Sequence, residues 1–298
     1  MQVGMTLPVM EPDLWARGAA VLEEWARAVD AGPFSTLCFG ERIAFDNPET
    51  LTLLGAVAAW TGRVRIATTV VVPQLHDPVL LAKSLATADQ LCAGRLTVGL
   101  GVGGREEDYR AVGADTGTQT MREMAERAGV LRAVWSGDTV AGATRRVGPP
   151  PVQPGGPELL VGTMGPRTIR SAAAWADGLA GVTLDVDPGG VRRLFDLAES
   201  AWAEAGRAAP RLTTSFWFAL DDGDGSSRAQ VHRHLRHYMS WLPPDLVDAM
   251  APTTGFAGTP AQLREVLRRF EDVGTHEVHL IPTGSDVAQV EAVAELLP

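Results

Sequence analysis

Apolar and polar positions alternate along this chain in a recurring order of buried strand and amphipathic helix. Residues 64–72 are almost all apolar or β-branched, a pattern typical of a strand covered on both faces. From Pro78 onwards apolar residues recur at helical spacing, and Gly94 ends that predicted helix before residues 96–100 begin another strand. Two parallel strands joined by a helix form the repeating unit of α/β proteins.

The same order recurs along most of the sequence. Predicted strands cover residues 3–7, 34–39, 64–72, 96–100, 159–161, 179–182, 212–220 and 276–281. Eight strands alternating with helices over 298 residues predict a (β/α)8 TIM barrel that forms one domain over 1–298. Residues 221–258 are predicted to be an insertion before the eighth strand, and we expect this insertion to shape the substrate pocket. Because such barrels hold their ligands at the carboxyl ends of the strands, we expect chemistry in the loops that follow them.

Composition narrows the classes of function. A net charge of −10 without a basic stripe argues against a nucleic-acid partner. Cys38 and Cys92 lie in apolar surroundings and match no metal-binding spacing, which favours two reduced thiols in a cytosolic protein. The first residues lack the basic and apolar regions of a signal peptide, and no run of 18 apolar residues predicts a membrane span.

A glycine-rich turn follows the predicted fifth strand and opens a helix. Its residues are Gly162, Thr163, Met164, Gly165, Pro166 and Arg167. Free amides at a helix amino terminus, with an arginine in the first turn, favour a bound phosphate. The alternative is an ordinary tight turn, which explains the glycines but not the arginine.

A second glycine cluster follows the predicted fourth strand. Residues 99–104 match the dinucleotide pattern G-x-G-x-x-G, but the match does not follow the first strand. Glu106 and Glu107 would also repel a pyrophosphate. The cluster therefore favours a loop that lets a flat ring approach the backbone near Gly101 and Gly103, with a plain glycine loop as the alternative.

Polar residues also end the predicted second and third strands. Thr68 and Thr69 can hydrogen-bond a cofactor, although threonines are common in strands, and His76 can cap the helix near Pro78. Glu41 and Arg42 are either a solvated ion pair or, in a pocket, a candidate proton donor or acceptor beside a fixed positive charge.

Three histidines lie close together in the predicted insertion. The mixed spacing of His232, His234 and His237 does not put all three on one helical face, and no carboxylate or cysteine completes a ligand set there. We expect no metal site.

The motifs taken together resemble one family, the bacterial-luciferase-like oxidoreductases, along the whole chain. Residues 80–113, LLAKSLATADQLCAGRLTVGLGVGGREEDYRAVG, are similar to the family's hallmark stretch. Further similarities follow in order: Gly4-x-x-Leu7-Pro8, Phe39–Arg42, Arg65-x-x-Thr68, His76–Pro78, Gly162–Arg167, Ala176–Gly178 and Gly258–Pro260.

The resemblance implies a (β/α)8 barrel that binds FMN or the deazaflavin coenzyme F420. The implied phosphate loop falls on Thr163, Met164, Gly165 and Arg167. A non-proline cis peptide behind the ring is implied near Thr69–Val70, with Thr68 and Thr69 meeting the flavin and Gly101 and Gly103 bordering its other edge. The relatives are commonly homodimers.

The resemblance also contains a departure. Many relatives have an acidic residue followed by histidine after the second strand, whereas this chain has Glu41-Arg42. Arginine stays protonated and is a poor general acid, though it can hold an anionic or carbonyl substrate. Glu41 and His76 are the candidates to replace the histidine.

The implied function is that of a cytosolic enzyme that moves a hydride between coenzyme F420 and a small organic substrate. One alternative is an FMN-dependent monooxygenase that uses reduced flavin and oxygen. Another is a flavin-binding relative that lost activity together with the histidine. The substrate itself is not predicted by any motif.

Overall fold

The computed structural model describes residues 1–140, 142–221 and 223–298. Nine strands occur within those residues: β1 (Gln2–Thr6), β2 (Thr36–Phe39), β3 (Arg65–Val71), β4 (Leu96–Leu100), β5 (Glu158–Val161), β6 (Gly178–Ala180), β7 (Arg211–Leu220), β8 (Phe256–Gly258) and β9 (Glu277–Pro282).

The described residues also form twelve α-helices. They are α1 (Leu14–Arg17), α2 (Ala20–Ala31), α3 (Thr50–Trp60), α4 (Pro78–Leu91), α5 (Glu106–Ala111), α6 (Met121–Trp135), α7 (Pro166–Ala172), α8 (Pro188–Glu204), α9 (Ser226–Tyr238), α10 (Pro244–Met250), α11 (Pro260–Asp272) and α12 (Ala288–Ala294). Over the same ranges, no helix is both long and apolar enough to cross a membrane.

The strand order confirms the predicted TIM barrel. The sheet runs β6-β5-β4-β3-β2-β1-β9-β7-β8, and an additional pairing of β6 with β7 closes eight of the strands into a parallel ring. The short strand β8 pairs with β7 outside that ring. The predicted insertion, residues 221–258, therefore contains α9, α10 and a strand of its own, while its Asp222 lies outside the described residues.

The chain divides into two compact units. The first contains Met1–Cys38, Gly181–Asp196 and Leu212–Pro298. Its strands β1, β7 and β9 are parallel, and Phe216 stacks on Phe270 with ring centroids 5.5 Å apart. These rings are fully buried, so they contribute apolar burial to the core of this unit.

The second unit contains Phe39–Ala180 and Leu197–Arg211. Its strands β3 to β6 are parallel neighbours. Helices α4 and α6 pack together, and the Trp135 indole donates to the Ala82 carbonyl oxygen at 3.0 Å. All the residues predicted to bind a cofactor or to take part in catalysis belong to this unit.

Local side-chain chemistry explains where several helices begin. Asp77 accepts from the amides of Val79 and Leu80 at the start of α4, and Thr259 forms a capping box with Gln262 at the start of α11. Burial raises the pKa of the Glu49 carboxyl at the start of α3, but hydrogen bonds from Thr52 and Leu51 outweigh it, so the pKa lies below its ordinary value.

Candidate active site

A buried carboxylate follows β2. Glu41 has a side chain only 1% exposed, and its Oε2 accepts from the backbone amide of Val72 at 2.8 Å. Its own amide donates to the Val70 carbonyl oxygen at 3.0 Å. Glu41 is therefore attached at two points to the end of β3, and its second carboxylate oxygen is left for a side-chain partner.

That partner is His76, from the loop after β3. Its Nε2 lies 2.7 Å from Glu41 Oε1, and its side chain is 16% exposed. Because the carboxylate only accepts, an Nε2 proton points at Glu41 and Nδ1 is left with the lone pair in the neutral ring. Of the two groups, the imidazole is the one that a substrate can reach.

This geometry replaces two of the simpler interpretations of the sequence. Glu41 binds His76 and Arg42 binds Asp108, and the residue that caps α4 is Asp77 rather than His76. Position 42 holds arginine where the family resemblance implies a histidine, but an imidazole from the next loop lies beside Glu41.

Arg42 takes part in a separate cluster. Its Nε lies 3.3 Å from Asp108 Oδ2, and its guanidinium lies 4.4 Å from the centroid of the Phe45 ring. Asp108 also accepts from the amides of Ile43 and Ala44 at 3.1 and 2.8 Å. Arg42 is thus buried and fixed in place, and the loop after β2 is fastened to α5.

The end of β3 carries the expected irregular backbone. The peptide bond between Thr69 and Val70 is cis, at the position that the family resemblance implies, and the register with β4 shifts between Thr68 and Val71. Thr68 is buried, and its hydroxyl donates to the Gly99 carbonyl oxygen at 3.1 Å. Thr69 and Val70 remain half-exposed, so they are the members of this segment that a ligand can contact.

Glycines surround this segment because a side chain at their positions would clash with it. A Cβ on Gly101 or Gly162 would lie 2.6 Å from a methyl carbon of Val70, and one on Gly99 would lie 2.3 Å from the Thr68 carbonyl oxygen. Only glycine fits such close approaches. Strand β4, the loop after it and the loop after β5 therefore pack closely against the segment that contains the half-exposed Thr69 and Val70.

The glycine loop after β4 is anchored at two adjacent carbonyl groups, those of Val102 and Gly103. Gly103 has a positive φ of 64°, and its carbonyl oxygen accepts from Gln119 Nε2 at 2.9 Å. The Tyr109 hydroxyl donates to the Val102 carbonyl oxygen at 2.8 Å. Burial raises the pKa of Tyr109 from its ordinary 10 to about 12, so this phenol stays a donor at alkaline pH as well.

The predicted phosphate loop is accessible. Gly165 is the N-cap of α7 and supplies no side-chain cap, while Met164 and Arg167 are exposed. The Thr163 hydroxyl accepts from the Gly165 amide at 3.0 Å, which shapes the turn before the helix. A cofactor phosphate fits this set, since uncapped helix amides and an exposed guanidinium both favour an anion.

Two of the three histidines of α9 bind carboxylates. His232 Nε2 lies 2.7 Å from Asp248, and His234 Nδ1 lies 2.7 Å from Glu11. In the part of the chain that the structure describes, no group of three or more His, Cys, Asp or Glu residues is arranged to hold a metal ion.

A cavity of about 390 Å³ lies in the second unit, and its lining contains no residue of the predicted cofactor loops. Asp177 on its wall binds the guanidinium groups of Arg132 and Arg207 and accepts from the Leu159 amide. Those contacts give the Ala176–Gly178 motif a structural role in joining α6, β5 and the segment that follows α8.

Sequence reasoning missed two residues of the site, Asp108 and Tyr109. Both lie on α5, a helix of six residues that the acidic run after the glycine cluster did not predict. A signal was present, because Glu106, Glu107 and Asp108 form an acidic first turn, which favours a helix start.

The chain belongs to the luciferase-like monooxygenase family, whose sequence profile matches residues 1–277. Its relatives include an uncharacterized protein of Mycobacterium tuberculosis strain H37Rv, which is 37% identical over 164 residues. That alignment covers 52% of this chain and 56% of the relative, so the chain spans little more than half the length of the curated protein it matches.

Two solved structures have the same fold over the entire chain. The monooxygenase RslO1 from Streptomyces bottropensis superposes with a TM-score of 0.82 at 23% identity, covering 100% of this chain and 98% of that one. An F420-dependent secondary alcohol dehydrogenase in complex with an F420–acetone adduct superposes with a TM-score of 0.80 at 17% identity, again covering 100% and 98%. The family match and the shared fold together define a member of the luciferase-like monooxygenase family with a TIM-barrel fold.

Proposed function

We propose that this protein is an oxidoreductase that uses coenzyme F420 and exchanges a hydride with a small organic substrate. The observation that carries the proposal is the Glu41–His76 pair, with a carboxylate 1% exposed and an imidazole 16% exposed at 2.7 Å. A partly accessible imidazole oriented by a buried carboxylate is an arrangement that moves protons at neutral pH.

Each residue of the pair has a distinct role in the proposal. Glu41 is a positioning residue, since its Oε2 is held by the Val72 amide and its Oε1 holds the imidazole. His76 takes the hydroxyl proton of an alcohol substrate at Nδ1, or returns it to the oxygen of a ketone in the reverse direction. Arg42 is fixed by Asp108 and contributes a positive charge behind the loop.

Coenzyme F420 supplies a hydride acceptor or donor when it is bound. Met164, Gly165 and Arg167 with the first amides of α7 would hold its phosphate, together with Gly162 and Thr163 of the same loop. The half-exposed Thr69 and Val70 would meet its ring system, as would the backbone at Gly101 and Gly103. The alcohol dehydrogenase of the same fold, with its F420–acetone adduct, supports this choice of coenzyme and of a ketone or alcohol as substrate.

The proposal also covers the cellular compartment, which is the cytosol, and the oligomeric state, which is a homodimer. Cys38 and Cys92 are both free and buried, which favours a reducing cytosol. A homodimer that acts on a small molecule remains our expectation.

A second candidate is an FMN-dependent monooxygenase. The monooxygenase RslO1 has the higher TM-score of the two structures, and the family profile carries the description of a monooxygenase. An exposed phosphate loop suits FMN as well as F420, so the two candidates differ in the coenzyme rather than in the loop.

Coenzyme titration tests the proposal. We expect the fluorescence of F420 to report tight binding, and the Gly165→Glu variant to lose it through charge repulsion. Gly165→Ala is the matched control, because φ is −89° and the added Cβ would lie 3.4 Å from Thr168 Oγ1. Tight binding of FMN alone would favour the monooxygenase, and unchanged affinity in Gly165→Glu would remove this loop from the site.

A further inference from the structure

The backbone that carries His76 is held by helix α6. From Nη1, Arg127 of this helix donates to the His76 carbonyl oxygen at 2.7 Å and to the Pro73 carbonyl oxygen at 3.2 Å. The His76 amide also donates to the Pro73 oxygen, at 3.3 Å. One guanidinium nitrogen therefore closes the turn that ends at the proposed proton carrier.

Arg127 is itself fixed by a neighbour on α6. Its Nε donates to Glu123 Oε1 at 2.8 Å, and the two side chains are only 20% and 23% exposed. Because partly buried ion pairs are screened less than exposed ones, this pair holds the guanidinium in one orientation. Arg127 is thus bound through Nε to its own helix and through Nη1 to the loop after β3.

A second contact joins the same loop to the start of α6. Gln74, which is 3% exposed, donates from Nε2 to the carbonyl oxygen of Thr120, the N-cap of α6, at 3.1 Å. Pro73 and Pro78 lie on either side of this contact, and proline fixes its own φ angle. With its backbone held in this way, the loop sets the direction of the His76 side chain.

Two partners of opposite charge hold residues 72–76. Glu41 binds the Val72 amide at 2.8 Å and the His76 imidazole at 2.7 Å, whereas Arg127 binds carbonyl oxygens of the same stretch. Without Arg127, the imidazole would keep its hydrogen bond to Glu41 on a loop whose backbone can shift. A misplacement of about 1 Å can lower a catalytic rate roughly a hundredfold.

We propose that Arg127 is a positioning residue for His76. It keeps the imidazole aligned with Glu41, so that the ring carries its proton on Nε2 and leaves Nδ1 open to the substrate. The inference rests on the proposed oxidoreductase function, in which Nδ1 exchanges the hydroxyl proton. Arg127 acts through the backbone of the loop rather than on the substrate itself.

The test compares Arg127→Gln with Arg122→Gln. The glutamine amide at position 127 can keep the contact with Glu123 that Nε makes, but it loses the donor to both carbonyl oxygens. Arg122 is the matched control, since its side chain is 83% exposed and pairs with Glu126 on the same helix. A melting curve verifies folding, and Arg127→Met, an unbranched side chain without a donor, replaces a variant that does not fold.

The first measurement is the tautomer of His76. Protein labelled with ¹⁵N-histidine is studied by NMR without coenzyme or substrate, at an alkaline pH that leaves the ring neutral, and the signals missing from His76→Gln are those of His76. We expect the proton on Nε2 in the wild-type protein and in Arg122→Gln, and a mixture of both tautomers in Arg127→Gln.

The second measurement is turnover with coenzyme F420 and a secondary alcohol. Arg127→Gln should lower kcat about ten- to a hundredfold without changing KM or the Kd for the coenzyme, and Arg122→Gln should match the wild-type protein. A tautomer mixture in the wild-type protein, a single tautomer or an undiminished kcat in Arg127→Gln, or equal losses in both variants would overturn the proposal. Because the spectra need no coenzyme, the tautomer alone decides this inference if F420 binding or turnover fails.

Discussion

Glu41 and His76 are 35 residues apart in sequence, and the fold brings their side chains within 2.7 Å. The sequence predicted both as candidates because each follows a strand at its carboxyl end. It did not predict that they pair, because the adjacent Arg42 offered a nearer opposite charge. The structure resolves that competition through Asp108, which holds Arg42 and the amides of the loop.

Replacing Glu41 by glutamine tests the pair. The glutamine amide can present its NH2 group to His76 and so favour the tautomer that keeps a proton on Nδ1, which removes the proton acceptor. We expect kcat to fall about a hundredfold or more, while the Kd for coenzyme F420 stays unchanged. Steady-state kinetics with a secondary alcohol, combined with coenzyme titration, measures both quantities.

Glu106→Gln is the matched control for that prediction. Its carboxylate lies on the surface, 60% exposed, and pairs with Arg110 four residues along α5. This variant should keep the wild-type kcat, because exposed pairs contribute little. An equal loss in both variants, or none in Glu41→Gln, would exclude Glu41 from the reaction.

The elements fall into those that the hydrophobic pattern predicts and those that it does not. The predicted helix that begins at Pro78 and ends before Gly94 matches α4, Pro78–Leu91, because its apolar residues recur at helical spacing over about four turns. Helix α5 was missed because six residues with three acidic ones carry too little periodicity. Its position depends on tertiary contacts made by Asp108 and Tyr109.

Helix α5 is predicted to hold the loop after β2 through Asp108. In Asp108→Asn the two backbone amides and Arg42 lose a charged acceptor, so we expect a loss of about 2–3 kcal/mol in the free energy of unfolding. Urea unfolding measures this change. Glu107→Gln, exposed on the same helix, should stay within about 0.5 kcal/mol of the wild-type protein; a loss as small in Asp108→Asn would contradict the anchoring role.

For the whole molecule, the alternation of strands and helices was enough to predict the barrel. It did not predict strand β8, which pairs with β7 inside the predicted insertion, because a strand of three residues is too short to show a period of two. It also missed an ion pair in the first unit, His279 with Glu277 at 3.4 Å, since the pattern of a strand buried on both faces does not reveal charges inside it.

That ion pair should set a pH dependence of stability. Burial favours the neutral ring, but Cys38 and Glu277 outweigh it and raise the pKa of His279 to about 10. Burial likewise opposes ionisation of Glu277, yet His279, Ser35 and Thr36 hold the pKa of that carboxyl well below its ordinary value. Because folding raises the pKa of His279, the protonated ring stabilises the fold, and this contribution is complete below the ordinary histidine pKa of 6.5. It is lost as the pH rises toward 10.

The depressed carboxyl pKa acts in the opposite direction. Its contribution is present above the ordinary value of 4.5 and is lost as pH falls below it. Urea unfolding of the wild-type protein should therefore show the contribution of the pair to be greatest between pH 4.5 and 6.5 and to decline toward pH 10. Glu277→Gln should cost about 3–5 kcal/mol near pH 6 and flatten that decline; an unchanged slope would show that the pair does not control it.

The central claim concerns where the coenzyme lies, and a crystal structure of the protein soaked with coenzyme F420 tests it most directly. We predict density for the coenzyme phosphate at the amides of α7, beside Gly165 and Arg167, and for the ring system against Thr69 and Val70 with His76 at its open side. Density for the coenzyme elsewhere, or a loop at Gly165 that stays filled by protein side chains, would contradict the account.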